Sequence, residues 1–404
     1  MIFKLFANQS WQSWLPRAIL LVAIAVAVVF WGPKQTPTAP DLRSLAREVL
    51  AKCAGTPHHP SCYDEEIPKL MDKISMEDAF LAATIIQDND PSYNYCHVLG
   101  HKLSAREFDK GTGKWTEIIK RCPTGICSNG CLHGAAQERF RGEVLTPEQQ
   151  DIARHELKGV CDPTPQWQLT GLEQAECFHG VGHVIMYITG ADIPKAMKIC
   201  DEVAYTSGGG DQTSLCHEGA FMQLFQPLEP EDFALIEGIG PKSKDELFAY
   251  CQSFEKQTWR NACWDEGFPL FRGEVNTADG TVEYCSKADE AEREHCYRML
   301  FYAYAQGTNY DPEKLSAYCS ALTGSRSGSC FGHMANAIIH GGRRLMDRAP
   351  VFCSLVKNTE EQKECYGIIV EFAEYNISVS SADFVKLCNE LPNPFEEQCL
   401  AKRG

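Results

Sequence analysis

Twenty cysteines recur at regular intervals along this chain of 404 residues. In the C-terminal part they form pairs whose members are 11 or 12 residues apart, and from Cys285 onward the pairs recur every 34 or 35 residues. Two upstream pairs follow the same plan with longer loops. A period in this range indicates stacked helical units rather than a series of unlike domains. The sequence therefore predicts an all-α fold, an α/α solenoid of about ten helix-hairpin repeats.

One unit shows why each pair is expected to form a disulfide. Asp311-Pro312 is typical of a helix N-terminus, the composition of residues 323–329 predicts a turn, and residues 330–340 are predicted to form a second helix. The two cysteines of the unit then face each other across the turn of an antiparallel hairpin. The same placement predicts seven bridges, namely Cys161–Cys177, Cys200–Cys216, Cys251–Cys263, Cys285–Cys296, Cys319–Cys330, Cys353–Cys365 and Cys388–Cys399.

The spacing leaves the pairing of the six N-terminal cysteines open. We favour Cys122–Cys131 as a short hairpin bridge, with Cys127 paired to Cys96 and Cys53 paired to Cys62. Zinc or iron–sulfur ligation by these thiols is disfavoured because no C-x-x-C spacing occurs. An even number of cysteines that is this large indicates an oxidising compartment.

The N-terminal region carries the features of a membrane anchor. Ala18 to Trp31 is an unbroken apolar run of 14 residues, which is shorter than the ~20 residues of a comfortable bilayer span. Lys4 and Arg17 precede the run and Asp41 follows it, so the positive-inside rule leaves the N-terminus in the cytoplasm. We favour an uncleaved signal anchor over a cleaved signal peptide.

These features divide the chain into four segments. Residues 1–14 are predicted to be cytoplasmic, residues 15–32 to form the transmembrane anchor, and residues 33–45 to form a proline-rich linker. Residues 46–404 are then a cysteine-rich helical-repeat domain in the periplasm or the extracellular space. The formal charge of −16 argues against a nucleic-acid partner.

In its period, hairpins and bridge placement, the segment from Cys53 to Cys399 resembles the Sel1-like and tetratricopeptide helical repeats. The closest likeness is to the disulfide-stapled Sel1-like repeats of bacterial exported proteins, although the Sel1 consensus of Ala, Leu-Gly and Tyr positions is absent. The resemblance implies an α-solenoid and leaves the function open, since such scaffolds host many functions.

Histidines are concentrated in residues 96–225, whereas residues 251–404 contain few. Two H-x-x-G-H motifs place their histidines four residues apart, on one helix face, and the intervening glycine allows close approach of another backbone, a metal or a cofactor. Confinement to four neighbouring units favours a site over packing, although capping or half-buried structural histidines would give a similar pattern. The candidate metal ligands are His97, His101, His133, His179, His183 and His217.

Neutral imidazoles that converge from stacked helices suit zinc, copper or iron. Glu138 and Glu218 lie on the same predicted helices and are candidates for carboxylate ligands or for the acid/base of a metalloenzyme. The leading hypothesis is therefore a membrane-anchored, extracytoplasmic protein that binds a transition metal. The alternative is a scaffold that binds a protein partner on its concave face, with structural histidines.

Overall fold

The computed structural model describes residues 41–93, 96–111, 114–123, 126–127, 130–140, 145–165, 167–207, 209–227 and 230–404. In these residues β pairing is limited to two isolated bridges, Thr164 with Trp167 and Tyr205 with Asp211. The predicted all-α class is confirmed. The predicted anchor at residues 15–32 lies outside the described residues. Within them, no helix combines the length and the apolar character needed to cross a bilayer.

The first part of the described chain forms shorter helices. They are Leu42–Cys53 (α1), His59–Glu66 (α2), Met76–Asn89 (α3), His97–Asp109 (α4), Trp115–Ile119 (α5), Gly130–Phe140 (α6) and Pro147–Leu157 (α7), with a 3₁₀ helix at Pro68–Asp72.

From residue 171 onward, the helices range in length from 4 to 19 residues. They are Gly171–Thr189 (α8), Ile193–Val203 (α9), Thr213–Phe225 (α10), Pro230–Leu235 (α11), Lys244–Gln252 (α12), Gln257–Glu266 (α13), Arg272–Val275 (α14), Ala278–Cys285 (α15), Glu290–Gly307 (α16), Pro312–Ala321 (α17), Ser325–His340 (α18), Arg348–Ser354 (α19), Thr359–Asn376 (α20), Ala382–Asn389 (α21) and Phe395–Ala401 (α22), with a 3₁₀ helix at Phe268–Phe271.

All twenty cysteines are paired in ten disulfides, and every pairing is the predicted or favoured one. A typical bridge joins a short helix to the long helix that follows it, as Cys200 on α9 joins Cys216 on α10 with a Cα–Cα distance of 5.6 Å. Each bridge therefore fixes where the first turns of a long helix lie against the preceding helix.

The unit from residue 311 to 340 tests the predicted hairpin in detail. The Asp311 carboxylate accepts the amide protons of Glu313 and Lys314, so α17 begins as predicted. The second helix begins at Ser325 rather than at Cys330, which corrects the turn expected over residues 323–329. Gly324 has a φ of 65°, and this single left-handed residue reverses the chain. Composition therefore overestimated the length of the turn.

Six helices from α8 onward form a closed ring. Helix α8 packs against α10, α10 against α13, α13 against α16, α16 against α18, and α18 against α20. Helix α20 in turn packs against α8, and this contact closes the ring. Whether the hairpins are copies of one repeat stays a prediction.

A second set of helices packs on the outside of this ring. Helix α9 packs on α8 and α10, α12 on α13, α15 on α16, α17 on α18, and α19 on α18 and α20. The N-terminal helices extend the structure beyond the ring, because α3 packs on α4, α4 on α6, and α6 on α8. Two layers of helices therefore surround the central axis of the ring.

Ion pairs join residues that are far apart in sequence where the ring closes. Arg344, after α18, contacts the Asp88 carboxylate of α3 at 2.8 Å and donates to the carbonyl oxygen of Gln87. Arg343 lies 3.8 Å from the Glu173 carboxylate in the first turn of α8. The segment after α18 thus holds the last part of the chain against the N-terminal helices.

Candidate metal centre in the ring cavity

A half-enclosed cavity of about 350 Å³ occupies the centre of the ring. All six ring helices contribute side chains to its wall, and His97 of α4 adds one from outside the ring. The wall combines charged and imidazole groups with aromatic and aliphatic ones. A concave pocket with a few convergent polar groups is the usual setting of a small-molecule site.

Three potential metal ligands converge at this cavity from three successive ring helices. They are Glu218 of α10, Asp265 of α13 and His295 of α16, and their donor atoms all lie within 4.8 Å of one another. The Nε2 atom of His295 is 2.5 Å from Oδ2 of Asp265 and 3.8 Å from Oε1 of Glu218. Among the described side chains, no other group brings three such donors this close together.

Disulfides position all three residues. Glu218 follows Cys216 by two residues, Asp265 follows Cys263 by two, and His295 directly precedes Cys296. Because each cysteine is bonded to the preceding short helix, the first turns of the ring helices have fixed positions, and so do their acidic and imidazole side chains. The bridges thus support the geometry of the site as well as the fold.

Burial makes negative charge costly at this cluster. Burial, reinforced by the nearby Asp265 carboxylate, raises the pKa of Glu218 to about 8. Burial likewise raises the pKa of Asp265, whose side chain has no solvent exposure. Burial and then the Glu218 and Asp265 carboxylates raise the pKa of the adjacent Glu266 well above its usual range. The cluster therefore retains protons to a higher pH than free carboxyls do. A bound cation would offset the repulsion between the deprotonated carboxylates.

His295 is the imidazole that contacts these carboxylates. Burial opposes protonation of its ring, but the Asp265 carboxylate and then Glu218 outweigh burial and raise the pKa of His295. Glu266 Oε2 accepts a hydrogen bond from the Gln226 side-chain amide at 2.6 Å. A divalent cation would thus meet two carboxylates and one imidazole, with a third, hydrogen-bonded carboxylate beside them.

The predicted histidine ligands lie in three different environments. The Nε2 atoms of His97 and His101 on α4 are 3.1 Å apart, and His97 lines the cavity. His179 also lines the cavity, and its Nε2 is 3.2 Å from Sδ of Met222. His183 Nδ1 lies 2.7 Å from Oε1 of Gln223.

The other predicted site residues lie away from the cavity wall or cannot be placed. His217 is fully buried on α10, and its Nε2 lies 3.1 Å from the Asp201 carboxylate of the outer helix α9. Glu138 is half-buried on α6, outside the wall of the cavity. The side chain of His133 lies outside the described part of the structure. Of the predicted set, the structure brings Glu218 into a three-donor cluster, while ligation by the six histidines stays a prediction.

The glycines of the histidine-rich motifs provide close helix packing. A Cβ added at Gly182 would overlap the carbonyl oxygen of Cys216 on the neighbouring helix α10, and one at Gly219 would overlap that of His179 on α8. Gly100 approaches the backbone of α6 in the same way. The sequence left three reasons for such a glycine, namely the close approach of another backbone, of a metal or of a cofactor. The structure shows the close approach of another backbone.

Asp265 and Arg298 were missed because the candidates were chosen around the histidines that follow a cysteine, and His295 was missed because it precedes its cysteine. The position two residues after the second cysteine faces inward in successive units, regardless of residue type. His179, Glu218 and Arg298 at this position all line the cavity, and Asp265 lies buried beside it. In chain order the position holds His133, His179, Glu218, Asp265 and Arg298.

Comparison of the chain with protein-family models, curated proteins and solved structures finds no significant match.

Proposed function

We propose that this protein is a membrane-anchored, extracytoplasmic metal-binding protein, and that Glu218, Asp265 and His295 hold one divalent transition-metal ion in the ring cavity. The observation that carries the proposal is the convergence of these three donors from three helices at one cavity. Burial disfavours the negative charge of these carboxyl groups, and His295 is the basic side chain that contacts them. A metal ion would supply the missing positive charge.

The donor set indicates which metals the site would take. Two carboxylates and one imidazole are the ligand types of zinc and of iron(II). Copper(I) favours thiolate or thioether donors, which this trio lacks. Three protein donors leave coordination positions open for water or a ligand, as in catalytic rather than structural zinc sites. Glu218 then serves as a ligand, and Glu266 is the carboxyl group best placed to hold a proton beside the metal.

The proposed location depends on the disulfides and on the N-terminal sequence. Ten bridges form most readily in an oxidising compartment. Residues 15–32 would anchor the chain with its C-terminal part outside the cytoplasm. The alternative, a scaffold that binds a protein partner on its concave face, stays a prediction.

The test is the zinc content of the full-length protein, purified in detergent from an oxidising compartment with a histidine-free tag. We expect about one zinc per chain after dialysis against zinc. Asp265→Asn and His295→Gln should each weaken zinc binding about a hundredfold or more, since even partners outside the ligand shell contribute 10–100-fold. Matched controls are Glu283→Gln and His155→Gln, whose side chains are 72% and 70% exposed.

Circular dichroism and a disulfide count by mass spectrometry verify that each variant is folded. A folded wild-type protein that takes up no zinc, iron or manganese would refute the proposal. So would a wild-type level of zinc in both ligand variants.

A further inference from the structure

Arg298 is a charged cavity residue that the metal site does not use. We propose that the cavity accepts an organic anion, with a carboxylate or phosphate head group held between the metal ion and the guanidinium group of Arg298. This inference depends on the proposed metal function and names the ligand class of the same cavity. It rests on the position of Arg298, on its hydrogen bonding and on the composition of the cavity wall.

Arg298 occupies the position that supplies ligands in the neighbouring units. It follows Cys296 by two residues, as Glu218 follows Cys216 and Asp265 follows Cys263. On α16 the residues His295, Arg298 and Tyr302 lie three and four residues apart, and all of them line the cavity. They therefore share one helix face, which carries a metal ligand, a cation and an aromatic ring in order along the helix.

The guanidinium group of Arg298 has unused hydrogen-bonding capacity. Its Nη2 donates to Nδ1 of His295 at 2.6 Å, and among the described residues no carboxylate lies within ion-pairing distance of it. His340, another cation-forming residue of the wall, has the Glu176 carboxylate 2.8 Å away. Guanidinium carries five N–H donors in a planar fork that matches carboxylate and phosphate oxygens. The fork thus lacks the anionic group that it is shaped to bind.

Metal binding would make more of this fork available. A neutral imidazole carries one N–H, so a metal bound at Nε2 of His295 leaves the proton on Nδ1. The Nδ1 atom can then no longer accept a hydrogen bond from Arg298. The guanidinium group needs another acceptor, and a head group bound to the metal would lie within its reach.

The remaining wall of the cavity suits an organic body rather than a bare inorganic ion. Phe268, Met299 and Tyr302 line the cavity together with aliphatic side chains of α8 and α10. Without the metal, the head group would lose one of its two proposed partners and keep only the guanidinium group of Arg298. Anion binding should therefore depend on the metal.

The experiment uses the full-length protein with cobalt(II) as a spectroscopic metal. The probes are benzoate, phenyl phosphate and the neutral analogue benzamide. We expect benzoate or phenyl phosphate to change the visible cobalt spectrum at concentrations where benzamide does not, and the stronger of the two identifies the head group. Arg298→Gln should weaken this binding about tenfold or more, the effect of losing a charge-assisted hydrogen bond. It should leave cobalt stoichiometry unchanged.

Two variants act as controls. Arg272→Gln removes an exposed arginine outside the cavity wall and should bind anions like the wild type. Arg298→Lys keeps the charge but loses the fork, and its anion affinity should fall between those of the wild type and Arg298→Gln.

The inference is overturned if cobalt binds and no anion changes its spectrum, if benzamide binds as well as the anions, or if Arg298→Gln binds anions like the wild type. Failure of the folded protein to take up cobalt or zinc is a different result, because it refutes the metal function itself.

Discussion

Nε2 of His340 lies 2.8 Å from Oε1 of Glu176, although 164 residues separate the two in sequence. The pair joins α18 to α8 beside the point where α20 closes the ring. Both side chains are largely buried, with 17% and 19% exposure. The ring of Tyr302 packs on His340 with a centroid distance of 4.7 Å. The contact between His340 and Glu176 thus stabilises the closed ring of helices.

We expect Glu176→Gln to destabilise the protein by about 1–2 kcal/mol, because the partly buried hydrogen bond to His340 loses its charged acceptor. Glu360→Gln is the matched control, since Glu360 is 81% exposed and pairs with Lys363 on the surface. The control should change stability by less than about 0.5 kcal/mol. Urea unfolding followed by circular dichroism measures both variants. Equal effects would show that the contact does not support the closure.

Replacement of glycine by alanine should change the free energy of unfolding in opposite directions at two helix positions. Gly219→Ala places a methyl group against the carbonyl oxygen of His179 and should cost about 1–3 kcal/mol through overpacking. Gly367 lies inside α20 with open space around its Cα. Gly367→Ala should therefore be neutral or stabilise the protein by up to about 1 kcal/mol, because alanine favours the helix. Thermal unfolding of both variants provides the comparison. A destabilised Gly367→Ala variant would contradict the packing described here.

Removing a disulfide should have effects that depend on its position. Replacing Cys200 and Cys216 by alanine should lower stability by about 3 kcal/mol. It should also weaken zinc binding, because Glu218 follows Cys216 by two residues. Replacing Cys388 and Cys399, which join the two last helices, should lower stability and leave zinc affinity unchanged. Titration calorimetry with zinc on both double variants makes the comparison. Equal losses of zinc affinity would show that the Cys200–Cys216 bridge has no specific effect on the site.

Zinc affinity should rise with pH between 6 and 8. The pKa of Glu218 is raised to about 8, so a proton must leave this carboxyl before the metal binds below that pH. The logarithm of the dissociation constant should fall by about one unit or more per pH unit in this range, because Asp265 and His295 also have raised pKa values. Competition with a chromophoric chelator, corrected for the protonation of the chelator, measures the slope. An affinity independent of pH would mean that no carboxyl deprotonates on binding.

The same carboxyl should influence the stability of the metal-free protein in the opposite direction. Its pKa is higher in the folded state than in the unfolded state, so its contribution is fully present below the usual carboxyl pKa of 4.5 and is lost as pH rises through about 8. Glu218→Gln should flatten this dependence. Urea unfolding at pH 5 and pH 8.5 compares the variant with the wild type, and identical pH dependence in the two proteins would contradict the assignment.

The cysteine pattern was sufficient to predict the class of the fold and seven bridges, because a disulfide within a hairpin depends on local spacing alone. It left the pairing of the six N-terminal cysteines open, and Cys96–Cys127, which spans 31 residues, shows why local spacing does not decide it. The cysteine pattern also could not predict that α20 would meet α8. Closure depends on the sum of small rotations between successive helices, and no single position in the sequence encodes it. For the same reason, the salt bridge between Arg344 and Asp88 could not be predicted.

The candidate site was predicted only in part, because its inward-facing residues share a position in the unit and not a residue type. Glu218 was found because it adjoins a histidine, whereas Asp265 and Arg298 lie in units without histidines at that place. The environment of His217 could not be predicted either, because its partner Asp201 lies on the preceding helix. Aligning the units on their cysteines and comparing all polar residues at each position would have identified the inward-facing set.

The contact between α20 and α8 also limits how such a protein can change in evolution. An open array of repeats can gain or lose a unit at almost any point, because each unit touches only its neighbours. A ring has a fixed circumference, so one added or deleted hairpin would separate the two closing helices and change the width of the central space. We therefore expect variation in length among proteins of this design to accumulate in the helices before α8, while the number of inner helices stays constant.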